Sequence, residues 1–155
     1  MSFKIALVGC GGMGRRHAHG YIELRKYFDI VEMAAVCDVH HDVAATVAGE
    51  IGEATDATPD VYTDFDDMLS KADLDGVAIV TSTPMHHIFA IKAMNAGLHV
   101  ITEKPMGLTL KACRQMQEVS ESTGKVLAVA ENYRRDPMNR LTKALIDSGA
   151  IGTPY

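Results

Sequence analysis

Three glycines near the amino terminus have the spacing of a loop that holds a phosphate group. The segment VGCGGMGRRHAHG, residues 8–20, places Gly9, Gly11 and Gly14 in a GxGxxG pattern. Such a loop lets the backbone approach a pyrophosphate, and the free N–H groups at the start of the next helix face the anion. A glycine-rich chain can produce this spacing by chance, so the elements on either side must show whether this is a phosphate-binding loop.

The segments on both sides of the glycines favour a dinucleotide-binding turn. A short apolar run at 3–8 predicts a strand before them. After them, apolar positions recur at helical spacing at Ala18, at Tyr21 or Ile22, and at Phe28. A strand, a glycine turn and a helix in this order are what pyrophosphate binding requires.

An acidic residue follows at the position that reads the ribose of NAD. The next predicted strand, 30–38, ends on Asp38, and an acid at that point hydrogen-bonds the adenosine ribose. Its charge repels a 2′-phosphate, so we expect NAD in preference to NADP. The competing hypothesis is that Arg15, His40 or His41 offsets this charge and allows NADP to bind.

Strand and helix patterns alternate along the whole chain. Further strands are predicted at 60–64, 75–82, 98–103 and 125–131, and further helices at 43–51, 64–71, 83–96, 109–123 and 136–148. Six strands with helices between them predict an α/β fold, a doubly wound parallel sheet of the Rossmann type, with the order 3-2-1-4-5-6. No linker divides residues 1–155, so we expect one domain.

The predicted helix at 83–96 has clear boundary signals. Thr83 is expected to cap it and Pro84 to occupy its first position. Ile88, Ile91 and Met94 are expected to form its core stripe. In the last predicted helix, Asp136 is expected to be the cap and Pro137 to occupy the first position.

Composition excludes several classes of function. The chain has 155 residues, 47% of them hydrophobic, and a net charge of −5 without any basic stripe, so we expect no nucleic-acid partner. No apolar segment has transmembrane length, and the three cysteines are widely spaced, so we expect a cytoplasmic protein with reduced thiols and no membrane contact. Cys10 is interpreted as a small apolar filler rather than a reactive thiol.

Seven histidines could suggest a metal site, but their spacing argues against one. Six of them occur as close pairs: His17 and His19, His40 and His41, and His86 and His87. Neighbours at such spacings diverge on a helix, so we expect no metal and interpret the histidines as surface or helix-capping groups.

Several motifs together resemble one family, the glucose–fructose oxidoreductase, inositol dehydrogenase and MocA family. They are GCGGMG, Asp38, TSTPMHH, EKPMG and the segment ENYRRDPMNRLTKALIDSGAIGTPY. The resemblance implies a nicotinamide-binding Rossmann domain followed by a second domain that supplies most of the substrate pocket and the catalytic histidine. It also implies hydride transfer between a nicotinamide cofactor and a secondary alcohol or ketone of a sugar, cyclitol or related small molecule.

The resemblance carries over a set of cofactor-binding residues, in four groups along the chain. They are Gly9, Gly11, Gly12, Met13 and Gly14 in the pyrophosphate loop, with Asp38 at the ribose; Thr81, Ser82, Thr83, Pro84 and His87 after the fourth strand; Glu103, Lys104 and Pro105 after the fifth; and Asn132 and Arg134 after the sixth. Lys104 is the expected catalytic residue, because its charge would orient the alcohol and stabilise a developing alkoxide.

The sequence departs from the family in one respect. It stops at Tyr155, where the family chain would enter the second domain. This predicts either a dinucleotide-binding fragment of a larger enzyme or a free-standing minimal protein; we expect the fragment, which would lack the second domain and not be catalytically complete. We also expect it to associate with copies of itself. Three alternatives remain at this stage: a non-catalytic NAD(P)-binding regulator, an NAD-dependent glycoside-cleaving member of the family, and a methyltransferase.

Overall fold

Thirteen elements follow one another in the computed structural model, which describes residues 2–154. The strands are β1 Phe3–Val8, β2 Val31–Cys37, β3 Asp60–Tyr62, β4 Gly76–Ile79, β5 His99–Thr102 and β6 Leu127–Val129. The helices are α1 Gly12–Tyr27, α2 His41–Thr55, α3 Phe65–Lys71, α4 Thr83–Asn95, α5 Leu110–Thr123 and α6 Pro137–Asp147, with a 3₁₀ turn, η1, at Asn132–Arg135.

The strands form one parallel sheet in the order β3-β2-β1-β4-β5-β6. This confirms the predicted fold class and strand order. The order reverses between β1 and β4, and ligands of such sheets bind outside the carboxyl ends of the strands at that reversal.

The two faces of the sheet carry separate apolar clusters. Ile5 and Leu7 of β1 belong to the cluster that includes residues of α1 and α2. Ala6 and Val8, which alternate with them, belong to the cluster that includes residues of α3, α4 and α5. Because successive strand residues point to opposite faces, the centre of a parallel sheet covered on both sides is apolar without interruption.

Several predicted boundaries differ from the structure. The strands are shorter at their carboxyl ends, because residues such as Thr81 and Glu103 form the turns that follow the sheet. Helix α2 extends beyond the predicted 43–51. Phe28 was expected on the apolar face of α1, but it caps that helix and 57% of its surface is exposed.

Helix α4 buries only part of the core stripe predicted for it: Met94 is buried and Ile91 is partly buried against the core, but Ile88 is not. Its buried residues are His86, Ala90, Ala93 and Met94, whereas Ile88 is 39% exposed. Small side chains on this face let the helix approach β4, β5 and α5 closely. The N-cap is Ser82 rather than the predicted Thr83, and Pro84 lies in the first turn as predicted.

The last helix begins as predicted but is exposed. Asp136 Oδ1 accepts hydrogen bonds from the backbone N–H groups of Met138 and Asn139. Met138, Leu141 and Leu145 of α6 are exposed to solvent. The structure therefore presents an exposed apolar helix face after η1.

Candidate cofactor-binding site

The glycines of the first turn are required by close contacts and by backbone conformation. Gly9 has a φ of +92°, and a Cβ atom there would lie 2.6 Å from the carbonyl oxygen of Val80. A Cβ atom on Gly14 would lie 1.9 Å from the carbonyl oxygen of Gly9. Gly9 therefore makes the turn and Gly14 lets α1 pack against it, as the sequence pattern predicts.

The start of α1 is suited to an anion. A Cβ atom on Gly11 or Gly12 would meet no atom of residues 2–154 within 4 Å, so the backbone is open on this side. Within the same described range, no side chain caps α1 at Gly11, and its first turn carries no acidic residue. The first N–H groups of the helix are therefore available to a phosphate group, and the residues present fit a dinucleotide.

Asp38 lies directly beside the glycine turn. Its Oδ2 atom accepts a hydrogen bond of 2.8 Å from the backbone N–H of Cys10, and its Oδ1 atom accepts one of 3.0 Å from the N–H of His40. The carboxylate is thus fixed at the end of β2, which is where the ribose interpretation requires it. Gly9 N–H also donates to the carbonyl of Cys37, so the ends of β1 and β2 are joined here.

Cys10 is a packing residue, as the sequence interpretation holds. It is only 2% exposed. Burial, together with the nearby charge of Asp38, raises the pKa of its thiol to about 12. The thiol therefore stays protonated and unreactive at neutral pH.

A cavity of about 400 Å³ lies between α1 and the carboxyl ends of β5 and β6. Four of its lining residues belong to the predicted site: Met13, Glu103, Lys104 and Asn132. The polar residues that the sequence analysis did not assign to this site are Arg16, His17, Glu131 and Arg135. The structure thus brings the glycine-loop helix, the strand-five signature and the segment after strand six around one space.

Glu103 connects two walls of this cavity. Its Oε1 atom lies 2.9 Å from Nε2 of His17, and its Oε2 atom accepts a hydrogen bond of 2.9 Å from the backbone N–H of Lys104. Burial alone would raise the pKa of this carboxyl group, but the hydrogen bonds from His17 and Lys104 outweigh it and hold the pKa below its usual value. Glu103 therefore stays charged and fixes the start of the Lys104 segment against α1.

His86 fixes the other side of the same segment. Its Nδ1 atom lies 2.9 Å from the carbonyl oxygen of Pro105 and its Nε2 atom 3.0 Å from that of Thr81. The ring is 1% exposed, so the expectation that the histidines are surface or capping groups is wrong for His86, and the contact with Glu103 shows that it is also wrong for His17. The spacing of His86 with Ala90 and Ala93 is the helical pattern that could have indicated its burial.

The remaining predicted residues occupy the same sheet edge. Thr81 follows β4, Ser82 caps α4, and Thr83 and Pro84 form its first turn. His87 is half-buried, and its Nδ1 atom finds no hydrogen-bond partner among residues 2–154. Arg134 is exposed in η1, while its neighbour Arg135 lines the cavity; the roles of His87 and Arg134 stay predictions.

No cluster of three or more His, Cys, Asp or Glu side chains with metal-binding geometry occurs between residues 2 and 154. In the same part of the chain, no helix has the length and apolar character needed to cross a membrane.

Residues 3–131 match the sequence model of the GFO_IDH_MocA family, described as an oxidoreductase family with an NAD-binding Rossmann fold. The chain belongs to this family. The matched range begins at the first strand and ends at Glu131, so it includes the glycine turn, Asp38 and the EKP segment. The family is thus the one suggested by the motifs, and the domain is its NAD-binding Rossmann domain.

Three similar proteins illustrate the range of the family. D-apiose dehydrogenase of Paraburkholderia graminis is 35% identical, over 99% of this chain and 38% of its own length. A glycosyl hydrolase family 109 protein of Shewanella baltica is 30% identical, over 96% of this chain and 32% of its own. The crystal structure of scyllo-inositol dehydrogenase from Lactobacillus casei with bound NAD(H) and scyllo-inositol superimposes with a TM-score of 0.86 and 31% identity, over 98% of this chain and 43% of that one.

The chain therefore spans between about a third and less than half of the length of these relatives. What the remainder of a relative contributes to its reaction has no counterpart among the residues described here.

Proposed function

We propose that this chain is the cofactor domain of an enzyme that transfers hydride between NAD and a secondary alcohol or ketone of a sugar, cyclitol or related small molecule. The observation that carries the proposal is the one cavity, next to the glycine turn, that Met13, Glu103, Lys104 and Asn132 line together. A dinucleotide seated on the turn would extend along this sheet edge toward Lys104. The dehydrogenases similar to this chain include one that was crystallised with NAD(H) and a cyclitol.

Different groups of this chain bind the cofactor and orient the substrate. The open N–H groups at the start of α1 bind the pyrophosphate, and Asp38 accepts hydrogen bonds from the adenosine ribose. Lys104, held by Glu103 on one side and by His86 through Pro105 on the other, donates to the substrate oxygen and stabilises its developing negative charge. NAD, when bound, supplies the hydride acceptor.

The proton of the substrate hydroxyl needs an acceptor as well. A charged lysine is a poor acceptor unless it is strongly desolvated, and Lys104 is exposed in this chain. We therefore propose that the acceptor comes from a second domain, and that residues 1–155 alone bind the cofactor without completing the reaction.

A second candidate is the NAD-dependent cleavage of glycosides. The similarity to glycosyl hydrolase family 109 proteins, at 30% identity over 96% of this chain, favours it. Both candidates use the same cofactor edge, so the difference between them must come from the substrate side.

We further propose that the protein is cytoplasmic and forms homo-oligomers. The proposal of a cytoplasmic location rests on three widely spaced cysteines without a disulfide. Exposed Met138, Leu141 and Leu145 on α6 support self-association, because exposed apolar helix faces are commonly covered by another protein surface.

Calorimetric titration of the chain with NAD, NADP and S-adenosylmethionine tests the proposal. We expect NAD to bind most tightly, and Asp38→Asn to weaken NAD binding with only a small fall in the thermal midpoint, because the amide oxygen can still accept from the Cys10 N–H while the exposed His40 N–H loses its acceptor. Preference for S-adenosylmethionine would contradict the oxidoreductase assignment. Preference for NADP would contradict only the role given to Asp38.

A further inference from the structure

Arg15 of α1 is bonded to Glu50 of α2, and this contact bears on the choice between NAD and NADP. Its Nε atom donates a hydrogen bond of 2.8 Å to Oε2 of Glu50, and its Nη2 atom contacts Oε1 of the same carboxylate. This is a two-point contact between α1 and α2, and such paired contacts fix the direction of a guanidinium group. The hydrogen bond from Arg15 also holds the pKa of Glu50 below its usual value, so the carboxylate is charged at neutral pH.

Arg15 stands on the adenosine side of α1. Sheet order puts β2 and β3 on one side of β1 and β5 and β6 on the other. Arg16 lines the cavity at β5 and β6, whereas Arg15 contacts α2, the helix that follows Asp38. Arg25 and Lys26 lie in the last turn of α1, far from the glycine turn. His19, one turn further along α1, also faces Glu50, with its Nε2 atom 3.7 Å from Oε2. Arg15 is nearer the start of the helix, so of the two it is the side chain suited to approach a phosphate group near Asp38.

The contact with Glu50 holds the Arg15 guanidinium away from the sheet edge at Asp38. Arg15 is three residues into α1, about 5 Å from the start of the helix. Glu50 is nine residues beyond the start of α2, roughly 13 Å along that helix from the end next to Asp38. A guanidinium bonded to Glu50 is therefore directed along the helices and away from the end of α2 that lies next to Asp38.

We infer that Glu50 is a specificity-determining residue, which favours NAD over NADP by holding Arg15 away from the position that a 2′-phosphate would occupy beside Asp38. The inference rests on the proposed binding of a dinucleotide at this edge. Asp38 rejects the phosphate by charge repulsion, and Glu50 removes the cation that would otherwise compensate for it. The discrimination thus has two parts, one at Asp38 between β2 and α2 and one at Glu50 in the second half of α2.

The expected change in nucleotide preference is modest, because the Arg15–Glu50 ion pair is partly exposed to solvent. The side chains of Arg15 and Glu50 are 53% and 24% exposed, and exposed ion pairs contribute at most a few-fold to an equilibrium. We therefore expect Glu50→Gln to lower the ratio of the NADP to the NAD dissociation constant by about fivefold at low salt. Arg15→Ala alone should change the ratio by less than about twofold, because Glu50 already holds Arg15 away.

Four variants of the chain, titrated calorimetrically with both nucleotides, test the inference. The double variant Arg15→Ala/Glu50→Gln distinguishes release of Arg15 from the simple loss of a negative charge at Glu50. If freed Arg15 is what improves NADP binding, the double variant regains the ratio of dissociation constants of the unmodified chain. Glu53→Gln, a charge removal at an exposed position of the same helix, is the matched control and should leave the ratio unchanged.

The possible results distinguish failure of this inference from failure of the proposed function. An unchanged ratio in Glu50→Gln overturns the inference, and so does a lowered ratio that persists in the double variant. Failure of the unmodified chain to bind NAD contradicts the proposed function itself and removes the basis of the inference with it. Thermal midpoints of all variants near that of the unmodified chain show that the comparison concerns binding and not folding.

Discussion

Glu103 is the residue on which the placement of Lys104 depends. It is 8% exposed, and its two carboxylate oxygens are occupied by His17 and by the backbone N–H of Lys104. A buried carboxylate is tolerated only when hydrogen bonds replace its hydration. The contact joins residues 86 positions apart in the chain, and no local sequence pattern indicates such a partner, which is why the sequence analysis assigned His17 to the surface.

Removing His17 should destabilise the chain. His17→Ala leaves one oxygen of Glu103 buried without its donor, which costs about 1–3 kcal/mol. His17→Gln can place an N–H donor near the position of Nε2, so it should recover part of the loss. Denaturant unfolding of the three proteins measures the effect, and equal stability of His17→Ala and the unmodified chain would contradict the role given to Glu103.

The same contact predicts a dependence on pH. The pKa of Glu103 is lowered in the folded chain, so its contribution to stability is present above the unfolded pKa of about 4.3 and is lost as pH falls through the lower folded value. The stability difference between the unmodified chain and Glu103→Gln should therefore shrink in this acid range. A difference that is constant from neutral to acid pH would show that charge at Glu103 is not what stabilises the contact.

Lys104 should matter more to chemistry than to folding. In a catalytically complete enzyme that carries this domain, Lys104→Met is expected to lower kcat/KM about 100-fold, the scale of losing one stabilising donor. Its thermal midpoint should barely move, because the side chain is exposed. Unchanged turnover in steady-state assays would make Lys104 a structural residue.

At the scale of the elements, local signals predicted most of the architecture. The glycine turn between β1 and α1, Asp38 at the end of β2 and Asp136 at the start of α6 are each indicated by sequence patterns that are local. The core stripe of α4 was predicted correctly at Met94 and Ile91 but not at Ile88, because its apolar residues allow more than one stripe and tertiary packing selected the one with Ala90 and Ala93. The spacing of His86 with Ala90 and Ala93 could have indicated its burial, but its hydrogen bonds to the carbonyls of Thr81 and Pro105 are visible only in the folded chain.

The packing of α1 against the glycine turn gives a prediction with an internal control. Gly14→Ala places a methyl group 1.9 Å from the carbonyl oxygen of Gly9, and neither backbone can yield without disturbing the turn. We expect it to cost more than about 2 kcal/mol and to abolish NAD binding. Gly20→Ala, in the same helix with no atom of residues 2–154 near its Cβ position, should instead stabilise the chain by up to about 1 kcal/mol. Similar stabilities of the two variants would contradict this packing.

At the scale of the whole molecule, the sheet edge with the carboxyl ends of the strands gathers the predicted cofactor residues, while the apolar side chains of α6 remain exposed. The chain should therefore bind NAD and yet not oxidise sugars or cyclitols. Absorbance of NADH in the presence of a panel of these substrates measures turnover. Saturable reduction of NAD by the 155-residue chain would show that a proton acceptor is already present in it.

The central claim is that NAD binds along this one sheet edge, from Asp38 to Lys104. Amide NMR spectra of the labelled chain, recorded during titration with NAD, test it residue by residue. The expected result is a saturable shift of the signals of Gly9–Gly14, Asp38 and the 103–104 segment, with little change at Lys4 and Asp73 near the opposite edge. Shifts confined to that opposite edge, or no saturable shifts at all, would contradict the account.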